Sequence, residues 1–153
     1  MSIKVSTGLA TYLMVTGCAK DAFALGLIKV YSGTVPATAD DAGGTVLWTI
    51  SVDGDGTGLT FDSSAVETST ASALVKPSAA VWAGATTAGV ATYWRLVGAA
   101  DTGADITTEP RIQGTCGSTA GADLYMSSTT LITDASITAK TLASFSVALP
   151  FNA

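Results

Sequence analysis

After Leu27 the chain never sustains a helical period. Short runs of alternating apolar and polar residues follow one another at close spacing, separated by Gly, Pro, Ser, Thr and Asp. That punctuation favours strands joined by turns. Val46, Trp48, Ile50 and Val52 alternate with Thr45, Thr49 and Ser51, and Leu47 is the one apolar exception. Leu59 with Phe61, Trp94 with Leu96, and Phe145 with Val147 and Leu149 repeat the period of two. Each such run has one face that needs a covering layer, and enrichment in Thr and Val suits a pleated surface. The expected fold is therefore all-β: an antiparallel β-sandwich, jelly-roll-like, with a short N-terminal helix. A chain of 153 residues can bury one sizeable core, so a single domain is expected over 1–153, with a helical arm at 1–25 and the sandwich at 26–153. The small, polar stretch from Ser63 to Ala73 reads as a surface loop or an edge strand.

The arm carries the only helical spacing. Leu9, Tyr12, Leu13 and Thr16 fall at i, i+3, i+4 and i+7, Ser6 or Thr7 is placed to cap, and Gly17 to stop the helix. A second turn is expected around Lys20 to Leu25, ended by Gly26. A short helix is not stable by itself. Leu9, Tyr12 and Leu13 must pack on something, and a neighbouring subunit is the expected receiver, which makes these three residues the candidate partner contacts. Lys4 and the Val15-Thr16-Gly17-Cys18 stretch imitate a lipoprotein signal, but Thr7, Gly8, Thr11 and Tyr12 dilute the apolar region. The segment is expected to stay on the chain.

Charged residues make up 12% of the sequence, about half the roughly 25% of an ordinary soluble domain. A surface so poor in charge suits contact with other subunits. The net charge of -5 and scattered basic residues argue against nucleic acid as a partner. The longest apolar, charge-free run, Pro77 to Trp94, is too interrupted by Ser, Thr, Gly and Ala to span a membrane. The absence of histidine removes the commonest general base and metal ligand. No enzyme activity, catalytic residue, metal or cofactor is expected. Cys18 and Cys116 lack metal-ligand or framework spacing and are expected as buried free thiols.

Asp53-Gly54-Asp55-Gly56-Thr57-Gly58 most resembles a chemical motif. As a calcium loop it has Gly58 at the sixth position but Ser64 where the twelfth requires a bidentate glutamate. As a phosphate cradle it lacks the final glycine spacing and the following helix. Asp-Gly between alternating runs is a hairpin signal. Asp101 and Glu109 with Arg95 and Arg111 suggest surface ion pairs or subunit contacts, with a weak hydrolase built on a carboxylate pair as the rival. Gly117-Ser118-Thr119-Ala120-Gly121 puts threonine at the centre of a would-be nucleophile elbow. Trp48, Trp82 and Trp94 with Tyr31, Tyr93 and Tyr125 would suit core packing or, as an alternative, a lectin-like sugar platform.

The ordered segments VSTGLATYL, IKVYSGTVPATADDA, GLTF, VWAGATTAGVATYWRLV, PRIQGT, GADLYMSSTTL and FSVALP run nearly end to end. Together they resemble a family of small tailed-phage proteins. The resemblance implies a virion protein associated with head genes, a capsid decoration or cement protein on the capsid exterior, made in the host cytoplasm. Its implied partners are the major capsid protein and copies of itself, in a homo-oligomer within the virion. A tail or neck component and a host-glycan-binding module are the alternatives. No catalytic residues come with the resemblance.

Overall fold

The computed structural model describes residues 3–62 and 73–148. The expected loop or edge strand from Ser63 lies outside the described residues, except for Ala73, as does Leu149. In chain order the elements are β1 (Lys4–Val5), α1 (Thr7–Val15), α2 (Ala19–Ala22), β2 (Leu27–Ser32), β3 (Thr45–Val52), β4 (Ala73–Val75), β5 (Trp82–Gly84), β6 (Gly89–Val90), β7 (Tyr93–Val97), β8 (Arg111–Gly117), β9 (Leu124–Tyr125), β10 (Thr130–Leu131), β11 (Lys140–Thr141) and β12 (Ser146–Ala148). The fold is mostly antiparallel β with few helices, as the alternation predicts. One sheet dominates, in the order β1-β8-β7-β2-β3-β5-β11, and β9 joins β8 in parallel. The pairs β6–β10 and β4–β12 stand apart from it.

The pairing register sorts side chains onto two faces. Ile28 lies beside Ile50 on one side and Leu96 on the other, Leu96 beside Ile112, and Val30 beside Trp48 and Trp94. These belong to the hydrophobic core, together with Leu9, Ala22 and Phe23 from the helical segment and Leu74 and Val147 from β4–β12. Phe145 meets the Trp94 ring edge-on at 5.4 Å and Phe61 meets Trp82 at 5.5 Å. The other, outer face carries a row running Thr49, Lys29, Arg95, Gln113, Lys4 across five strands.

Leu47 is the residue that breaks the alternation, and the register explains it. Val30 pairs with Trp48 and Tyr31 with Val46, so Leu47 is the extra residue of a β-bulge. The bulge lets Leu47 and Trp48 both join the core.

The N-terminal residues are woven into the domain, which corrects the expected arm. β1 pairs with β8, Lys4 opposite Gln113 and Val5 opposite Ile112. Ser6 caps α1, its hydroxyl accepting from the Leu9 amide at 3.0 Å. The same buried hydroxyl accepts from the Arg111 amide at 2.8 Å and donates to the Glu109 carbonyl at 2.8 Å. Gly8 lets α1 press on residues 108–109, where a Cβ would come within 2.5 Å of the Glu109 carbonyl oxygen. The second helical turn forms as α2, shorter than expected.

Candidate functional site

The largest polar assembly lies on the outer face of β2, β7 and β8. Arg95 and Arg111 are fully buried there. Arg111 Nε donates to Asp101 Oδ1 at 2.6 Å and its Nη2 to Glu109 Oε2, while Lys29 Nζ reaches Asp101 Oδ2 at 3.4 Å. Arg111 Nη1 points at the carbonyls of Ala39, Asp40 and Asp41, the nearest at 3.2 Å. Arg95 Nε donates to Gln113 Oε1 at 2.9 Å and its Nη1 to the Asp41 carbonyl at 2.8 Å. Gln113 and Lys4 both donate to the Pro36 carbonyl, and Lys4 also to that of Ala37. Four donor side chains thus fasten residues 36–41 across the sheet. Asp40 in turn accepts from the Thr7 amide and hydroxyl at 2.9 and 2.6 Å, placing a carboxylate at the start of α1.

Aromatic rings complete this cover. Tyr31 and Tyr93 stack at 4.8 Å, and the Arg95 guanidinium carbon lies 5.9 and 5.7 Å from their centroids. Arg95 Nη2 has no hydrogen-bond partner among the described residues, so the ring faces are its nearest favourable company. Burial lowers the Arg95 pKa and lifts the Tyr31 hydroxyl to about 12. Burial also acts to lower Arg111, but Asp101 and Glu109 outweigh it and leave its pKa raised. Burial pushes the Glu109 carboxyl up, and hydrogen bonds from Thr102 and Arg111 more than reverse this, holding it below the usual carboxylate range. The surface ion pairs expected of these residues are corrected: they form one buried network that clamps loops. Nothing in single residues signals this, because the strand register that aligns Lys29, Arg95 and Gln113 is non-local. Arg95 between Trp94 and Leu96 does, however, mark the opposite face.

The glycine-rich stretch forms the turn its Asp-Gly predicts. Asp53 and Gly54 both have positive φ, 54° and 74°, the Asp55 amide donates to the Val52 carbonyl, and Val52 bridges to Thr57. Those are the features of a type I′ turn. Asp55 accepts from the Thr57 amide and Ser51 Oγ from the Gly56 amide, so the turn folds back over Ser51. The chain then leaves the hairpin, and Leu59 pairs through its backbone with Leu25 and Gly26. No group of three His, Cys, Asp or Glu among the described residues is placed to hold a metal ion.

Leu9 is fully buried in the core of its own chain, and Tyr12 and Leu13 are half-buried against that core. The expectation that Leu9 contacts a partner is thereby corrected, because its side chain has no surface left to offer. The exposed large apolar residues of α1 are instead Met14 (87%) and Val15 (79%). Trp48, Trp82 and Trp94 are all buried, as are Tyr31 and Tyr93, so they form no sugar platform; Tyr125 is exposed. Cys18 is exposed, which corrects its expected burial, and its thiol lies 3.2 Å from Asp21 Oδ2. Cys116 is half-buried and burial lifts its thiol to about 12, which makes it a poor nucleophile.

Other depressions lie on the surface, one of about 240 Å³ between α1 and residues 107–108. A groove of about 420 Å³ between residues 123–127 and 140–146 holds Lys140, whose ammonium lies 5.7 Å from the Trp48 ring centroid. A shallower one of about 290 Å³ opens on the outer face over β3, bordered by Val46, Thr49, Ala85 and Thr87 and closed at one end by Gly54 and Gly56. Among the described residues no helix is long and apolar enough to cross a membrane. Comparison of the chain with protein-family models, curated proteins and solved structures returns no match.

Proposed function

We propose that the protein is a structural component of a tailed-phage virion, a decoration or cement protein seated on the capsid exterior and bound to the major capsid protein and to copies of itself. The observation that carries this reading is the grouping of exposed aliphatic side chains on a surface with little charge. Met14 and Val15 project from the end of α1, Val46 borders the open part of the outer face, Ile137 lies against the Gly54 turn, and Ile132 is exposed as well. Such surface is suited to burial between subunits. The jelly-roll-like sandwich belongs to the same proposal. It is supported by the β4–β12 pair, whose Leu74 and Val147 share the core with the main sheet and so supply a small second layer.

Purified heads lacking tails test the placement. They should carry the protein, and heads assembled without it should rupture at lower temperature or milder osmotic shock. Recovery of the protein on tails or necks alone, or equal resistance of the two kinds of head, would overturn the capsid reading.

A further inference from the structure

The two ends of the main sheet meet at one place. β11 closes its strand order on one side, and on the other β9 runs along the edge of β8 beside β1. Residues of both β9 and β11 line the groove of about 420 Å³. The sheet thus curls until its opposite edges border a single gap. The lining includes Leu124, Met126, Leu142 and Phe145, all buried, which give that gap an apolar floor.

Both edges present backbone groups without a partner. Pairs along an antiparallel ladder alternate between those that exchange hydrogen bonds and those that do not. The Leu142 amide donates to the Trp82 carbonyl at 2.8 Å, so the adjacent pair, Thr141 with Ala83, is an unbonded one. The Thr141 N–H and C=O therefore point away from β5. On the other edge the Met126 amide donates to the Gly117 carbonyl at 2.9 Å. In the parallel pairing of Tyr125 with Gly117 this turns the Tyr125 N–H and C=O away from β8. Neither residue's backbone is bonded from elsewhere among the described residues. The groove also holds a cation without a counter-ion. Lys140 Nζ lies 5.7 Å from the Trp48 ring centroid and forms no ion pair among the described residues. Asp123, on the opposite wall, accepts through Oδ2 from the Thr115 amide and hydroxyl at 2.8 and 2.9 Å.

We infer that this groove receives an extended segment of a different protein, added as a strand between β9 and β11. Its backbone pairs with the outward groups of Thr141 and Tyr125, its alternate apolar side chains face the floor, and an acidic side chain meets Lys140. A second copy is a poor donor of such a segment, because every strand among the described residues is already paired within its own fold. The inference goes beyond the capsid reading, which names a location and not the form of what is bound.

The test uses the whole chain, labelled with ¹⁵N, and short synthetic peptides of alternating valine and threonine. One carries a glutamate at a threonine position, one a lysine there, and a third is the glutamate peptide with its backbone N-methylated, so that it has no N–H to donate. The glutamate peptide should slow hydrogen exchange at the Tyr125 and Thr141 amides. The lysine peptide should bind several-fold more weakly at low salt, and the N-methylated peptide should not bind. Thr141→Pro removes an N–H that β5 does not use, so it should fold and lose most of the binding; if it does not fold, the N-methylated peptide makes the same test. Lys140→Gln should fold and bind the glutamate and lysine peptides alike. Binding of the N-methylated peptide, equal affinity of the wild-type chain for glutamate and lysine peptides, protection at neither amide, or shifts confined to another surface would overturn the inference. So would a dimer in sedimentation that Thr141→Pro abolishes, since a copy would then be the occupant. Selective peptide binding by a protein that fails to bind heads would break the capsid reading and leave this groove standing. Head binding without peptide selectivity would do the reverse.

Discussion

Over β2, β7 and β8 the outer face of the sheet carries Lys29, Arg95, Arg111 and Gln113, and residues 36–41 lie across it. Over the first half of β3 and residues 85–87 the same face carries Val46, Thr49, Ala85 and Thr87, and three of these four are exposed. The row that includes Thr49 continues unbroken through Lys29, Arg95 and Gln113 to Lys4, so backbone geometry does not distinguish the two regions. Side-chain donors do. A loop can lie on a sheet only if its carbonyls find partners, and long cationic side chains supply them where threonine and valine do not. The chain has thus spent much of its scarce charge on covering itself, and the region without such donors stays open.

The sharpest way to break this contrast is to remove its central donor. Arg111→Leu leaves Asp101 buried without its closest cation and removes the Arg111 contacts to the carbonyls of 39–41. It should destabilise the fold by about 3–5 kcal/mol, read as a shift in the urea midpoint. A loss under 1 kcal/mol would mean the cover is held by something other than the network. Ser6→Ala comes next, since it removes the cap of α1 and leaves the Arg111 amide and Glu109 carbonyl without that partner. Its expected loss is about 1–3 kcal/mol.

Acid should act on the covered region. The Glu109 carboxyl is lowered in the folded protein from its ordinary 4.5, so its contribution is present above that value and is lost as pH falls through and below it. Glu109→Gln should therefore flatten the acid limb of the stability curve while lowering stability at neutral pH. An unchanged acid limb would assign the acid sensitivity to other groups. The smallest effect belongs to the open patch: Val46→Ser should change stability by no more than about 0.5 kcal/mol, because nothing of its own chain is fastened there. A larger loss in thermal unfolding would show that the patch is part of the fold rather than a surface awaiting a partner.

Local chemistry made several elements legible from sequence. The Ser6 cap, the end of α1 near Gly17 and the Asp53-Gly54 turn depend on neighbours within a few residues, and the structure follows them. The alternation of β3 gave the strand, and its flaw at Leu47 marked the bulge, although only the register on Tyr31 and Val30 reveals it as one. What escaped depends on pairing across the chain. Leu9 has the same spacing whether it packs on its own sheet or on a neighbour, and the choice is made by β1 finding β8. Arg95, Arg111, Asp101 and Glu109 are read as surface charge until the strands align them and residues 36–41 close over the top. The open patch was illegible for the same reason, since exposure of Val46 is set by what fails to cover it.

The hydrogen bond from the Arg111 amide to Ser6 joins positions 105 residues apart, and this has a consequence in time. During synthesis at about 5–20 residues per second, roughly 5–20 s pass between the emergence of Ser6 and that of the residue it must meet. Through that interval α1 has neither its partner strand nor the carboxylate of Asp40 held in place by Arg111. The segment around Ser6 is therefore completed only once β8 has been made, and Leu9, which ends with no exposed surface, waits over that interval for its final packing.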